Sequence, residues 1–535
     1  MVYLYFFIIL LISSIFRLLC LDKVSGLWYD ELVLYNQANL SGCIEIVKHV
    51  LSQDLNFPLY QIILHYWISI FGNSDFCLRF LSVIFGVLTC ITAYFVSSDK
   101  RTNLLCMSLF AVNSFLIYYS QDVKVYSLSV FFATLNLVSL IKIYEKNKGY
   151  ILWLISSVCL IFTYTTAFWY VILEIIIFSY HKFSKKFIYA CGFLVIFLIP
   201  IIFLIFQNFS RYTRNPNWFY TDTSSFFLIF QNFFTPKLIA LDANPVNYIG
   251  LLLNNLNIFT VILVFCPILI ALYFMIKALI KDDISKIIFL TALMYLLSYF
   301  FAFKILDINI LSRYLIILLP NFLIVMARGI DYKKVSVILF SLFIILNFIY
   351  LCFGKDCAYK INRSGYKNVA QIINKYADND DIVIFRNDTE IMDKYLTKKI
   401  KKVSLLQDFT FKSEFFIENE NNLNKLSSIN KKLYIKSYLC DRSVPQNITI
   451  MYGLMYVLMK KNKKLFLVIE NQFDKYDKNS FVKLINNENM YKMLSYNKLL
   501  TIKTLLDIQK LSSKNLIFVK KFVVGDFVVY EYQKN

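Results

Sequence analysis

The sequence predicts a polytopic α-helical membrane protein with a C-terminal extracytoplasmic domain of α/β or α+β type. The 535-residue chain is 58% hydrophobic, whereas soluble domains average about 45–50% apolar residues. Apolar stretches long enough to cross a hydrocarbon core of ~30 Å recur throughout residues 1–354. From residue 355 onward the composition changes to Lys, Asn and Asp with short alternating apolar stretches, a pattern typical of strands.

About eleven stretches are predicted to cross the membrane: 2–20, 76–97, 102–119, 123–143, 149–164, 166–180, 187–206, 251–276, 287–303, 310–327 and 335–353. The stretch 57–71 is also apolar, but a helix there rises only about 1.5 Å per residue and is too short for the core. We expect an interfacial helix there, with a short tilted span as the alternative. Within 149–180 we expect two short spans that turn at 163–166, with one long tilted helix as the alternative.

Basic residues predict the orientation of these spans. If 57–71 does not cross, five basic loops lie on one side, and the positive-inside rule places that side in the cytoplasm. These loops carry Lys100 and Arg101; Lys142, Lys146 and Lys148; Lys182, Lys185 and Lys186; Lys277, Lys281 and Lys286; and Arg328, Lys333 and Lys334. The first loop (21–75), the turn at 120–122 and the tail then face outward. We therefore expect a transmembrane domain over 1–354 and a soluble extracytoplasmic domain over 355–535.

The tail is long enough to form its own core. Strands are expected at 381–385, 432–435, 464–469 and 522–532, and amphipathic helices at 366–376 and 480–494.

Charge and motifs narrow the function. The net charge of +21 is concentrated in short loops and the tail, which favours membrane lipids or an anionic surface over nucleic acid as a partner. The sequence has no Walker loop, GxGxxG or HExxH, so nucleotide-driven transport and zincin chemistry lack support. Its eleven cysteines form no CxxC pair, and neither a disulfide framework nor a zinc site is predicted.

Three acidic motifs fall on the predicted outer side: Tyr29-Asp30-Glu31, then Asp54 with Asn56 and Pro58, then Ser120-Gln121-Asp122 with Lys124 and Tyr126. An acid at a membrane edge is costly to bury and is a functional-site candidate. Together, three acids and a cation on one face indicate a site for an anionic lipid and a hydroxyl or amine acceptor. Neighbouring helical side chains point about 100° apart, so one of Asp30 and Glu31 would do chemistry while the other shapes the site.

Each motif also has a purely structural interpretation. Asp30 could N-cap a surface helix that begins at Leu32. Asp54 could belong to a turn that leads into the 57–71 helix. Asp122 could simply lie at a favourable helix N-terminus.

The three motifs resemble those of the dolichyl-phosphate-mannose–protein mannosyltransferase superfamily, whose bacterial members include aminoarabinose lipid A transferases. The resemblance covers residues 25–130 best, is weaker at Ser312-Arg313-Tyr314-Leu315, and offers little beyond Lys355. It implies a C-class glycosyltransferase fold with surface-lying helices in the first outer loop. It also implies transfer from a polyprenyl-phosphate-linked sugar to a glycan, lipid or protein acceptor.

By the same resemblance, Asp30 would be the general base, Glu31 would support it, and Asp122 would hold the acceptor or the donor sugar. Substrate-binding candidates are Asp54, Asn56, Lys124, Tyr126 and Arg313, with Lys304, Arg211 and Arg214 in reserve. The family often has His-Pro where this chain has Asn56-Phe57 and Arg where it has Lys124. Lysine keeps the charge but lacks the bidentate guanidinium fork with which arginine binds phosphate. With Asn56 in place of histidine, the sequence leaves open whether this position binds a divalent cation.

The mechanism expected from these residues is inverting transfer. Asp30 would take the acceptor proton, and cations such as Arg313 and Lys124 would stabilise the departing lipid phosphate. Three alternatives stay open: a lipid-linked oligosaccharide polymerase or ligase, a lipid or sugar translocator, and a non-catalytic scaffold that binds glycans. A translocator typically has discontinuous helices in matched halves, which this sequence lacks.

Overall fold

The computed structural model describes residues 2–19, 21, 26–53, 56–182, 184–214, 225–235, 258–306, 311–331, 333–353, 365–379, 381–385, 392–398, 400–404, 464–470, 516–524 and 527–534. The chain divides into two compact units. The first comprises Met1–Asp22 and Gln37–Ile361, and the second comprises Lys23–Asn36 and Asn362–Asn535. Residues 23–36, which carry the first acidic motif, therefore fold with the C-terminal part of the chain.

Sixteen α-helices are described before residue 354: α1 Val2–Leu18, α2 Tyr29–Ala38, α3 Cys43–Gln53, α4 Leu59–Phe71, α5 Asp75–Ala93, α6 Lys100–Val112, α7 Ser114–Tyr119, α8 Tyr126–Lys146, α9 Tyr150–Thr163, α10 Ala167–His181, α11 Lys185–Arg214, α12 Ser225–Phe234, α13 Ile258–Lys281, α14 Asp283–Leu306, α15 Leu319–Gly329 and α16 Lys334–Phe353. A 3₁₀ helix, Ser312–Leu318, leads into α15.

Some of these helices have the length and composition of membrane spans. Five described segments are long and apolar enough to cross a bilayer: Asp75–Ala93, Tyr126–Lys146, Val264–Lys281, Asp283–Ala302 and Ser312–Gly329. Shorter apolar helices are Val2–Leu18, Leu59–Phe71, Tyr150–Thr163, Ala167–His181 and Lys334–Ile349. The stretch 102–119 is not one helix as expected, because Asn113 has extended backbone and its Oδ1 atom accepts a hydrogen bond from the Leu116 amide, which starts α7.

The chain reverses direction between α9 and α10. The Tyr150 hydroxyl, at the start of α9, lies 3.1 Å from the Ser184 hydroxyl, just beyond the end of α10. Trp153 Nε1 donates a hydrogen bond to Glu174 Oε1 at 3.3 Å between the same two helices. In one straight helix residues 150 and 184 would be about 50 Å apart. Two short helices with a turn at 164–166 are therefore present, and the single tilted helix is excluded.

The five basic loops meet at one end of the helical unit, as their charge predicts. Arg328 joins three of them: its guanidinium contacts Glu145 Oε1 at 3.1 Å, Asp282 Oδ2 at 2.5 Å and the Val96 carbonyl at 2.8 Å. Lys182 Nζ adds the fourth loop by donating to the Ile143 carbonyl at 3.4 Å. Arg328 itself lies in the fifth.

The second unit contains residues 29–36 of α2, a further helix and a mixed sheet. The helix α17, Tyr366–Tyr376, buries an apolar stripe at a spacing of three and four residues. The strands are β1 Ile382–Phe385, β2 Lys401–Ser404, β3 Lys464–Glu470, β4 Leu516–Val524 and β5 Phe527–Lys534.

The sheet order is β2-β1-β3-β5-β4. β1 is parallel to both neighbours, whereas β5 is antiparallel to β3 and β4. The predicted stretch 522–532 is thus part of two paired strands, and β2 was not predicted. The stretches 432–435 and 480–494 lie outside the described residues.

Candidate active site

The first acidic motif opens helix α2. The helix begins at Tyr29, directly after Trp28, so Glu31 occupies its third position. Glu31 Oε2 accepts a hydrogen bond from the Trp28 amide at 3.1 Å, and the Glu31 side chain is fully buried. A glutamate that reaches back to the residue before the helix satisfies one of its orphan amide donors. The alternative in which Asp30 N-caps a helix starting at Leu32 is wrong.

Asp30 differs from its neighbour in exposure. It is half-buried at the second position of α2, whereas Glu31 is buried. A carboxylate in the first helical turn is favoured by the helix dipole. Because successive helical side chains diverge by about 100°, the two acids have different surroundings. Glu31 accepts the hydrogen bond at the start of the helix, and Asp30 is the more exposed of the two acids.

The third acidic motif is anchored to the end of α1. Gln121 Nε2 donates to the carbonyls of Phe16 at 3.2 Å, Arg17 at 3.0 Å and Leu19 at 2.9 Å. The Arg17 Nε atom donates to the Ser120 hydroxyl at 3.2 Å. These contacts fix Ser120 and Gln121 before the chain reaches Asp122.

Arg17 is a functional candidate that the sequence interpretation missed. Its fully buried guanidinium also donates to the carbonyls of Phe110 at 3.1 Å and Ala111 at 3.3 Å, in the last turn of α6. A cation at a helix C-terminus satisfies orphan carbonyls and complements the helix dipole. The signal was an arginine inside an otherwise apolar stretch, 2–20.

The space beside Arg17 exists because residue 86 is glycine. A Cβ atom on Gly86 would lie 2.8 Å from Arg17 Nε and nearer still to the Ser120 hydroxyl. A small cavity of about 10 Å³ adjoins Arg17, Gly86 and Ser120, room for roughly one water molecule. The close approach of α5 thus supports the geometry of the third motif.

Asp122 and Lys124 lie in the turn between α7 and α8, and Tyr126 is the first residue of α8. The Lys124 amide donates to the Asp122 carbonyl at 2.8 Å, which closes a tight turn. Asp122 is 1% exposed and Tyr126 is 7% exposed, while Lys124 is half-buried. Within this short segment the acid and the phenol are buried, and the cation is the most exposed of the three residues.

A tyrosine outside the predicted motifs connects this turn to the arginine segment. The ring of Tyr126 lies 6.4 Å from that of Tyr164. The Tyr164 hydroxyl donates to the Tyr314 carbonyl at 3.0 Å, and Tyr314 follows Arg313 in the 3₁₀ helix. The Arg313 guanidinium lies 5.5 Å from the Tyr314 ring centroid. The sequence interpretation treated Tyr164 only as part of a turn.

The second acidic motif is described in part. Asn56 is half-buried just before α4, whereas Asp54 lies outside the described residues. Of the reserve cations, Lys304 is exposed at the end of α14, and Arg211 and Arg214 lie in the last turn of α11. Among the described residues no group of three His, Cys, Asp or Glu side chains is gathered as a metal site would require.

Comparison with solved structures identifies the fold. ArnT from Cupriavidus metallidurans in the apo state matches 99% of this chain and 97% of its own, with a TM-score of 0.55 at 10% identity. ArnT from the same organism bound to undecaprenyl phosphate also matches 99% of this chain and 97% of its own, with a TM-score of 0.51 at 10% identity.

No protein-family model matches the sequence, and comparison with curated proteins finds no relative. The solved structures thus show what this chain is similar to in fold: it matches ArnT from Cupriavidus metallidurans over 99% of its length.

Proposed function

We propose that this protein is a membrane glycosyltransferase that moves a monosaccharide from a polyprenyl-phosphate donor to an acceptor on the outer face of the membrane. The observation that carries the proposal is the difference in burial between the adjacent acids Asp30 and Glu31. Glu31 is buried and holds the start of α2, while the half-buried Asp30 stands on the same first turn. The fold shared with ArnT, which has been solved with undecaprenyl phosphate, supports the lipid-linked donor.

Asp30 acts as the general base in this mechanism. It accepts the proton of an acceptor hydroxyl or amine as that group attacks the anomeric carbon. Attack opposite the phosphate breaks the bond from the anomeric carbon to the phosphate oxygen and inverts the configuration. The sugar passes to the acceptor, and the polyprenyl phosphate leaves with the bonding electron pair.

The leaving phosphate gains charge and needs cations positioned in advance. Lys124 and Arg313 supply them, since the Tyr126–Tyr164–Tyr314 contacts connect the segments that carry both. Asp122, buried in the turn before Lys124, accepts hydrogen bonds from hydroxyls of the sugar or the acceptor. Asn56, just before α4, and Asp54 complete the substrate-binding set.

The substrates imply a location. The lipid donor lies in the cell membrane, and the acceptor is a glycan, a lipid or a protein. Residues 355–535 form an extracytoplasmic domain, with the acidic motifs on the same outer side. The basic loops gathered around Arg328 then face the cytoplasm, as the positive-inside rule requires.

The test is sugar transfer or release by the purified protein in lipid vesicles, supplied with a panel of radiolabelled polyprenyl-phosphate monosaccharides. Protein-free vesicles measure spontaneous hydrolysis. Turnover of one or more of these donors is the expected result. Turnover of a diphosphate-linked oligosaccharide alone would replace the proposal with a polymerase or ligase. Movement of an intact donor across the bilayer without transfer would replace it with a translocator.

A further inference from the structure

The segment that precedes Asp30 packs tightly against residues of the C-terminal domain. Gly26 is buried and has a φ angle of +78°, a conformation that side chains with a Cβ atom rarely adopt. A Cβ atom added there would lie 2.7 Å from Lys367 Cβ and 2.9 Å from the Tyr395 hydroxyl oxygen. Only a glycine allows the backbone to approach these two side chains so closely.

A hydrogen bond fixes the next residue. The Leu27 amide donates to the Tyr395 hydroxyl at 2.9 Å, and the Leu27 side chain is fully buried. Leu27 immediately precedes Trp28, whose amide is bound by Glu31. Two consecutive amides before α2 are therefore bound by side chains, one from the C-terminal domain and one from α2 itself.

Tyr395 is itself held in place. Its carbonyl accepts a hydrogen bond from Asn374 Nδ2 at 2.9 Å, and Asn374 Oδ1 accepts one from the Thr397 amide at 3.0 Å. The Tyr395 amide also donates to the Met392 carbonyl at 2.9 Å. Because Asn374 belongs to α17, the Tyr395 turn is tied to the helix of the C-terminal domain.

A second contact lies near the other end of α2. The Lys394 ammonium is 4.4 Å from the centroid of the Tyr35 ring, a cation–π distance. Tyr35 is 5% exposed, so the pair is shielded from solvent on the ring side. Two adjacent residues, Lys394 and Tyr395, thus hold α2 before its start and near its end.

We infer that the C-terminal domain is a positioning part of the active site, in which Tyr395 and Lys394 set the location of Asp30 by clamping α2. The inference rests on the proposed function, because it assigns Asp30 the role of base. A displacement of 1 Å in a reacting group is enough to slow an enzyme by about a hundredfold. Loss of a clamp contact therefore lowers kcat and leaves the lipid-binding residues, and hence KM for the donor, unchanged.

The experiment compares Tyr395→Phe with Tyr376→Phe in the full-length protein. Both remove one phenolic hydroxyl from the C-terminal domain, but only Tyr395 contacts the segment before α2 among the described contacts. We expect Tyr395→Phe to lower kcat about fivefold to tenfold, the size of one hydrogen bond. We expect the donor KM to stay within about twofold and Tyr376→Phe to match the wild type. Equal kcat in all three proteins would overturn the inference.

A second pair of variants disturbs the contact between Gly26 and Tyr395 by adding a methyl group. Gly26→Ala introduces the clash with Lys367 and Tyr395, whereas a Cβ atom on Gly42, in the same loop, meets nothing within 4 Å. Gly26→Ala should lower kcat more than Tyr395→Phe does, and Gly42→Ala should have the kcat of the wild type.

A third pair tests Lys394. Lys394→Arg should retain the cation–π contact with Tyr35, and Lys394→Met should not. Rescue by Lys394→Arg is a result that mere loss of folding would not give.

Hydrogen exchange separates failure of the clamp from failure of the proposed function. Amides of residues 26–36 should exchange about fivefold to tenfold faster in Tyr395→Phe than in Tyr376→Phe. Unchanged exchange would overturn the clamp whatever the enzyme does. A wild type that turns over no lipid-phosphate sugar would overturn the transferase proposal, and the exchange comparison would still decide whether the C-terminal domain holds α2.

Discussion

Glu31 Oε2 accepts a hydrogen bond from the backbone amide of Trp28 at 3.1 Å, and Glu31 is fully buried. This bond closes the start of α2, and Asp30 lies in the first turn of the same helix. The two adjacent carboxylates therefore differ in exposure, because Glu31 is fully buried and Asp30 is half-buried.

The first prediction concerns Glu31. Glu31→Gln keeps an oxygen that can accept the Trp28 hydrogen bond, whereas Glu31→Ala removes the acceptor of this half-buried amide. We expect Glu31→Ala to lower the free energy of unfolding by about 1 kcal/mol and to reduce turnover. Glu31→Gln should retain stability and most activity. Thermal unfolding and steady-state kinetics in detergent measure both. Complete inactivation of a stable Glu31→Gln would show that Glu31 does acid–base chemistry itself.

The second prediction concerns the packing that holds the Ser120 segment. Gly86→Ala places a methyl group against the Ser120 hydroxyl and Arg17 Nε, and such overpacking costs about 1–3 kcal/mol. The matched control is Gly192→Ala, since a Cβ atom on Gly192 meets nothing within 4 Å. We expect a lower thermal midpoint and lower turnover for Gly86→Ala alone. Identical behaviour of the two variants would remove the support role of Arg17.

The third prediction concerns Arg313. If its guanidinium binds the lipid phosphate, Arg313→Ala should raise the donor KM or lower turnover by about tenfold or more, the size of one charge-assisted hydrogen bond. The amount of folded protein should change little, because Arg313 is only half-buried. Arg101→Ala, an exposed cation at the basic end, serves as the control. Donor kinetics indistinguishable from the wild type would exclude Arg313 from the site.

The fourth prediction concerns orientation. Single cysteines at Lys148, in a basic loop, and at Glu45, on exposed α3, are introduced into a variant without the native cysteines. A membrane-impermeant maleimide added to intact cells should label residue 45 and not residue 148. Permeabilised cells, in which both residues become accessible, provide the control. The reverse labelling pattern would invert the topology and place the acidic motifs in the cytoplasm.

The sequence predicts best those features that depend on the periodicity of one segment or on the total charge of a loop. A helix around residues 366–376 was predicted because apolar residues recur there at helical spacing, and the structure has it at Tyr366–Tyr376. The grouping of the basic loops was predicted because charge in short loops is governed by the membrane. The acids of the first motif were recognised because adjacent carboxylates beside an apolar span are unusual.

Contacts between distant residues could not be predicted in this way. Arg17 meets Ser120 across 103 positions, and Leu27 meets Tyr395 across 368; no periodicity encodes such pairs. The start of α2 depends on the hydrogen bond from the Trp28 amide to the Glu31 side chain. The capping pattern in the sequence suggested instead that Asp30 caps a helix beginning at Leu32. Asn113 interrupts the mostly apolar stretch 102–119, because its side chain caps the next helix.

The most direct test of the central claim is the turnover of Asp30→Asn with a polyprenyl-phosphate sugar that the wild type accepts. Glu45→Gln, which neutralises an exposed acid in the same loop, is the matched control. With equal amounts of folded protein, a fall of at least about a hundredfold in Asp30→Asn, with Glu45→Gln unchanged, is the predicted result. Turnover by Asp30→Asn at the wild-type rate would contradict the account and require another base.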